Sequence, residues 1–267
     1  MPLLLGNATK VSKYLINHDK EYDVVLQLGE KTTTADVEGE ILESQVVGDE
    51  ILDELNINNV LNSFVGKQQQ VPPIYSAIKL HGKKLYEYAR NGETVNIAPR
   101  DIEIYKINLI KIDKTNKQIY FNVRCSKGTY IRSLCEDIAT KLGTVGLMKE
   151  LNRVKVGNFD IKNSITIDEF EKQVNERNFS SIIKIEDIFK NCIQIELNSN
   201  NIFKYLNGVK LETQHLKILN NHIILNDEKE TVSKVYLNEK FIGLGIIKNQ
   251  KLKRDLVLNI NQNNIIY

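Results

Sequence analysis

The chain has 267 residues, of which 42% are apolar and 26% charged, with a formal net charge of +2. That length suits one large domain plus a small one with a real core, and no apolar run approaches the roughly 20 residues of a membrane-spanning helix. The apolar start Met-Pro-Leu-Leu-Leu-Gly lacks the basic leader and cleavage site of a signal peptide.

Three cysteines (Cys125, Cys135, Cys192) are an odd number without tight spacing, which points to a reducing cytoplasm rather than a disulfide scaffold. The four histidines (His18, His81, His215, His222) form no ligand-spaced cluster with them, so no metal site is expected.

Tyr22 to Leu28 alternates, with Tyr22, Val24, Leu26 and Leu28 on one face, and reads as a half-buried strand. Residues 36–55 carry eight carboxylates and no Lys or Arg. That stretch runs into helical spacing at Ile51, Leu55, Val60, Leu61 and Phe64, which Gly66 is expected to stop. Pro72-Pro73 then forces extended backbone ahead of Ile74 to Ala77. Ile104 to Ile112 and Ile119 to Cys125 read as two strands joined by the polar turn 113–117. After Gly128, Leu134, Ile138 and Leu142 mark a helix that Thr129 or Ser133 could cap and Gly143 could end.

Residues 163–187 read as a connector with a helical piece at 167–171. Short apolar runs return at 193–195, 223–225, 235–237, 241–247 and 256–258. Asn-, Asp- and Lys-rich turns separate them, and a small β domain is expected.

Two segments carry chemistry. Ser126-Lys127-Gly128-Thr129-Tyr130-Ile131-Arg132 links a strand to a helix, so the unpaired N–H groups of the first turn and the Arg132 fork make a receptor for a carboxylate or phosphate. An ordinary surface arginine at a helix start reads the same way. Pro72 to Arg90 interleaves four cations with three tyrosines over 19 residues, a pattern for phosphate contact and base stacking that also describes core tyrosines among solvated lysines. From Lys67 to Arg132 there are 13 Lys/Arg against 5 Asp/Glu. This local basic field suits phosphates, although solvated faces are often uneven in charge.

Six strings go further when taken in order. They are Leu3 to Lys10, Lys20-Glu21-Tyr22, Leu28-Gly29 with Thr32, Thr34, Asp36 and Gly39, Pro73 to Lys79, Gly82 to Arg90, and Cys125 to Arg132. The series closely resembles the TruB family of tRNA pseudouridine synthases over residues 1–160, and the last 80 residues resemble that family's small PUA-type RNA-binding domain. The resemblance implies an α+β fold with a large, mainly antiparallel sheet and flanking helices. Residues 1–187 would form the catalytic domain, incomplete at its N-terminus, and 188–267 a PUA-like β domain.

The implied activity is conversion of the T-loop uridine at position 55 of tRNA to pseudouridine, by a monomeric, cytoplasmic isomerase with no cofactor, metal or membrane partner. Tyr22 matches the tyrosine that packs on the flipped base, and Arg132 matches the arginine that pairs with the catalytic carboxylate. Tyr130 and Leu151 match uracil-pocket residues. Lys10, Tyr75, Lys79 and Lys127 are the expected RNA contacts.

The family's essential aspartate lies in a Gly-His-Thr-Gly-Thr-Leu-Asp-Pro-like segment ahead of the position of Met1-Pro2, so the chain as given is expected to lack its nucleophile. Asp36 falls at another family position and Asp137 one turn beyond Arg132. A catalytically dead tRNA-binding or tRNA-folding module is the alternative. Without family segments beside Tyr22 to Leu28, apolar surface and an unpaired strand edge are expected there.

Overall fold

The computed structural model describes residues 2–16, 18–220 and 229–258. Contacts divide the chain into two compact units, one built on Lys13–Ser164 and the other on Leu4–Ser12 with the chain from Ile165 onward. The 187/188 boundary read from the sequence lies inside the second unit.

In chain order the first unit carries β1 (Lys20–Leu28), β2 (Glu30–Thr32), β3 (Ile41–Ser44), α1 (Glu54–Asn62), β4 (Gly66–Gln70), β5 (Lys79–Leu80), β6 (Lys83–Lys84) and α2 (Leu85–Arg90). It continues with β7 (Arg100–Asp113), β8 (Gln118–Cys125), α3 (Ile131–Lys141), β9 (Gly146–Val156) and β10 (Phe159–Asp160). The main sheet runs β10-β9-β1-β8-β7-β4 and is antiparallel throughout. One face of β1 and β8 (Val24, Leu26, Leu28 against Ile119, Phe121, Val123) is buried with Leu61 of α1 and Leu134 and Ile138 of α3. The alternation at Tyr22 to Leu28 is this half-covered face. The unpaired edge expected beside it does not occur, because β8 and β9 flank β1 on both sides. Exposed apolar side chains sit instead on and around β3, where Ile41 and Leu42 are more than half exposed and Val46 fully so.

Other local expectations shift for identifiable reasons. The Asp53 carboxylate accepts from the Asn56 N–H at 2.9 Å, so α1 starts at Glu54. It stops at Ser63, and Gly66 opens β4. Neither Thr129 nor Ser133 caps α3. The Thr129 hydroxyl donates to the Ser126 carbonyl and the Ser133 hydroxyl to the Val71 carbonyl. At the other end, Gly143 with φ +86° follows the C-cap Leu142.

In the second unit, α4 (Ile167–Asn175) and α5 (Ile185–Ile188) occupy the connector region, and most of its residues are exposed. Then follow β11 (Ile193–Leu197), α6 (Ser199–Leu206), β12 (Leu211–Glu212), β13 (Lys217–Ile218), β14 (Thr231–Leu237), β15 (Lys240–Lys248) and β16 (Lys251–Val257). They form a sheet in the order β12-β16-β15-β14-β11-β13. The expected strand at 223–225 lies outside the described residues. The sequence reading lacked α6, whose Tyr205 is fully buried and donates to the Leu244 carbonyl at 2.9 Å. Parallel pairing of β11 with β14 requires a crossover of this kind between them. Among the described residues no helix is long and apolar enough to cross a membrane.

The seat of α3 on the sheet depends on Gly146, where an added Cβ would come within 2.6 Å of Ala139 Cβ and 2.9 Å of the Gln27 carbonyl oxygen. Gly146→Ala is expected to cost about 1–3 kcal/mol by overpacking, read as a lower urea midpoint with an unchanged slope.

Candidate active site

Tyr22 lies on β1, opposite Val123 of β8 and Arg153 of β9. Directly opposed residues of antiparallel strands share a face, so Tyr22 belongs to the helix-covered face and is half-buried against its core. Leu151, opposite Val24, shares that face and stays 43% exposed. Two bulges make this arrangement. The pairing of β9 with β1 slips between Val25 and Leu26 and again between Glu21 and Tyr22, leaving Lys149 and Val154 as extra residues. Unbroken alternation from Met148 would bring Glu150 and Asn152 to the core face; the slip brings Leu151 and Arg153 there instead.

Arg132 stands in the first turn of α3, on the same face of the sheet. Its Nη1 donates to Asp36 Oδ2 at 3.1 Å and to the Thr34 carbonyl at 3.2 Å, and its Nη2 donates to the Tyr75 carbonyl at 2.9 Å. Both members of the ion pair are mostly buried, with side chains 23% and 17% exposed. Asp36 is itself held. Its Oδ1 accepts from the Thr34 hydroxyl at 2.5 Å and the Glu38 N–H at 3.1 Å, its carbonyl accepts from the Thr32 hydroxyl at 2.6 Å, and it bridges to Met148 of β9. A guanidinium has five N–H donors. These three bonds leave capacity for a second anion.

The strand-to-helix junction read from the sequence is present, and a neighbouring strand completes it. Buried Gln70, at the end of β4, accepts from the Tyr130 N–H at 2.8 Å and donates to the Tyr130 carbonyl at 3.0 Å. The side chain thus does for the N-cap residue what a paired strand would do.

Burial is the main influence on the Tyr22 phenol and raises its pKa above the ordinary value. The Cys125 thiol adds to this, while the guanidinium of Arg153 pulls the other way. The Cys125 thiol is itself pushed up to about 11, mainly by burial. Lys20, two residues before Tyr22, has its ammonium pKa lowered by burial first and then by the charge of Arg153, with Lys127 also contributing.

The structure therefore gathers Tyr22 and Leu151 on one sheet face and ties Arg132 to the backbone of Tyr75. Tyr130, half-buried, immediately precedes α3. Lys127 is exposed in the junction, and Lys79 is exposed on the β5–β6 hairpin. Lys10 is exposed in the short 3-10 turn Gly6–Val11 of the second unit. Of two clefts of about 490 and 190 Å³, the smaller is lined in part by Lys79, and neither Tyr22 nor Arg132 lines either one. Among the described residues, no group of three or more His, Cys, Asp and Glu side chains is placed to hold a metal ion.

The sequence reading named Asp36 only as a motif position, not as the partner of Arg132, and it missed Gln70 and Arg153. A Thr-rich run ending in Asp before Gly39 was a signal for a self-bonded acidic loop. Gln70 and Arg153 gave none, because the first acts across 60 residues and the second depends on bulges. Asp36→Ala is expected to cost about 1–3 kcal/mol, since a largely buried guanidinium loses its counter-charge. An unchanged urea midpoint would contradict that.

Comparison with known proteins adds independent observations. Residues 1–131 match the family model described as TruB family pseudouridylate synthase (N terminal domain), and residues 132–188 match tRNA pseudouridylate synthase B C-terminal domain. The tRNA pseudouridine synthase B of Oceanobacillus iheyensis is 38% identical over 240 residues, covering 90% of this chain and 76% of the relative. That of Clostridium tetani is 41% identical over 248 residues, covering 92% and 80%. In fold, a chain of a solved Cbf5-Nop10-Gar1 complex matches with a TM-score of 0.62 at 20% identity, covering 96% of this chain and 70% of that one.

Proposed function

The chain belongs to the TruB family of pseudouridylate synthases, and from that premise we propose that it acts on the T-loop uridine at position 55 of tRNA. What carries the reading is the convergence of Tyr22 and Leu151 on the sheet face that also bears Arg132 at the mouth of α3. An aromatic face, an apolar wall and a fixed guanidinium are what an extruded uracil and a reacting carboxylate need.

The reaction breaks the N1–C1′ bond, turns the base and joins C5 to C1′. A proton leaves C5 and one is gained at N1, so no redox partner or group donor enters. Extrusion from the loop costs a few kcal/mol, which stacking on Tyr22 and contact with Leu151 offset. Arg132, already anchored by Asp36, is placed to hold the family's nucleophilic carboxylate in its ionised form, a group these 267 residues do not themselves supply. With burial raising its pKa, Tyr22 stacks as a neutral phenol at physiological pH; a role as base would have to overcome that burial.

In this reading the 267 residues as given hold the gripping and stacking half of the site without the family's nucleophilic aspartate. Residues 188–267 serve as a PUA-like RNA-binding domain, and the protein works as a cytoplasmic monomer. Tyr130 joins the uracil pocket, while Lys10, Tyr75, Lys79 and Lys127 touch the RNA.

C5-tritium release from T-arm RNA, run beside a binding assay, tests this. The expected result is binding without release, with preference for the T-arm over a scrambled hairpin. Release at enzymatic rates would overturn the absence of the nucleophile, and equal affinity for both RNAs would overturn the substrate. Lys79→Gln should weaken binding and reduce the slope of log K against log salt by roughly 0.7–0.9, one phosphate's worth. A slope identical to that of the unchanged chain would remove Lys79 from the interface.

A further inference from the structure

Gln70 holds Tyr130 at two points. Its Oε1 accepts from the Tyr130 N–H at 2.8 Å, and its Nε2 donates to the Tyr130 carbonyl at 3.0 Å. Only one orientation of the side-chain amide can make both bonds. The carbonyl also accepts from the Leu134 N–H at 3.1 Å, the first bond of α3, so the need to pair a buried oxygen does not account for the second contact. Its effect is geometric. The N–H and the carbonyl belong to the peptide planes on either side of the Tyr130 Cα, and fixing both holds φ and ψ at −96° and 110°. The direction of the Cα–Cβ bond follows from those two angles.

The setting gives this hold a purpose. Tyr130 stands between Gly128, at φ +82°, and the start of α3. Glycine is free at φ values that other residues avoid, and a junction built on it could turn. Gln70 ends β4, an edge strand of the main sheet, and is buried with 5% of its surface exposed although its side chain is polar. The segment after it stays on the same turn of helix. The Val71 carbonyl accepts from the Ser133 hydroxyl at 3.2 Å, and the Tyr75 carbonyl from Arg132 Nη2 at 2.9 Å. Gln70 thus keeps Tyr130 in a fixed relation to the guanidinium two residues on.

We propose that Gln70 is a positioning residue for the isomerisation, clamping the backbone of Tyr130 so that its side chain is preset as a wall of the uracil pocket beside Arg132. The proposal rests on the reading of Tyr130 as a pocket residue. A wall set before the base arrives costs no ordering on binding. The clamp therefore acts on the share of affinity that depends on the base and leaves the phosphate contacts as they are.

Two measurements test it. In the first, without RNA, the tyrosine rings carry 13C, and the Tyr130 signal is identified by its loss in Tyr130→Phe. Gln70→Met, similar in length but without the amide, should shift or broaden that signal; an unmoved signal overturns the proposal. In the second, dissociation constants are measured for T-arm RNA with uridine at position 55 and for the same RNA with an abasic residue there. Gln70→Met should bind the uridine RNA roughly three- to tenfold more weakly and the abasic RNA as the unchanged chain does. Loss of affinity for both RNAs alike, or for neither, overturns the proposal.

Ile57→Val, a truncation in the core face of α1, should lower the melting temperature and leave both affinities unchanged. A selective loss of uridine-RNA affinity there, equal to that of Gln70→Met, would reduce Gln70 to a stabilising residue. If Gln70→Met does not fold, Gln70→Asn, whose shorter stem cannot reach both groups, is read by the same outcomes. Equal affinity of the unchanged chain for T-arm and scrambled hairpin would overturn the substrate reading and this proposal with it, whereas a failure confined to Gln70 shows only in the variants.

Discussion

The Arg132 guanidinium joins parts of the first unit that are far apart in sequence. It belongs to the first turn of α3, takes the carboxylate and a carbonyl of the loop at 34–36, and takes the Tyr75 carbonyl from the segment after Pro72-Pro73. A planar cation with five donors can satisfy several acceptors at once, which a lysine's point charge would do with less geometric definition. The loop it grips is stitched to β9 through Met148, and the segment it grips is stitched to α3 through Gln70 and Ser133. Without the guanidinium, these loops would lose the charge around which they are arranged.

The same economy governs the tyrosine. Tyr22 stands where the covered part of the face gives way to solvent, flanked on one side by the core residue Val123 and on the other by the exposed Arg153. Burial and the guanidinium act on its hydroxyl in opposite directions, and burial is the larger influence. The group that results is an apolar plate with a polar tip, suited to stacking on a base while staying in contact with water.

Much of this was legible in the sequence wherever the signal was local. Alternation at Tyr22 to Leu28 marks the central strand, and helical spacing at Leu134, Ile138 and Leu142 marks α3, because each pattern reports a face turned to one core. The ordered motif strings reached the family, which no single pattern could. What stayed hidden is non-local. Nothing near Tyr130 indicates that Gln70 caps it, and the acidic run at 36–55 gives no sign that Asp36 is the counter-charge of Arg132. Helix α6 escaped because it is only eight residues long and starts among asparagines.

The paired slips in β9 have a consequence for how this surface can change. Each inverts which side of the sheet a residue faces, and together they cancel, so Gly146–Met148 and Lys155–Val156 keep ordinary ladder positions while only Glu150–Arg153 is turned over. Four consecutive residues thus form a cassette whose contents can be exchanged without re-registering the strands on either side. Straightening the slip at Lys149 with the chain length unchanged would turn over the residues beyond it, exchanging Leu151 and Arg153 for Glu150 and Asn152 in one step. Substitution inside the cassette therefore leaves the register intact, while loss of a slip does not.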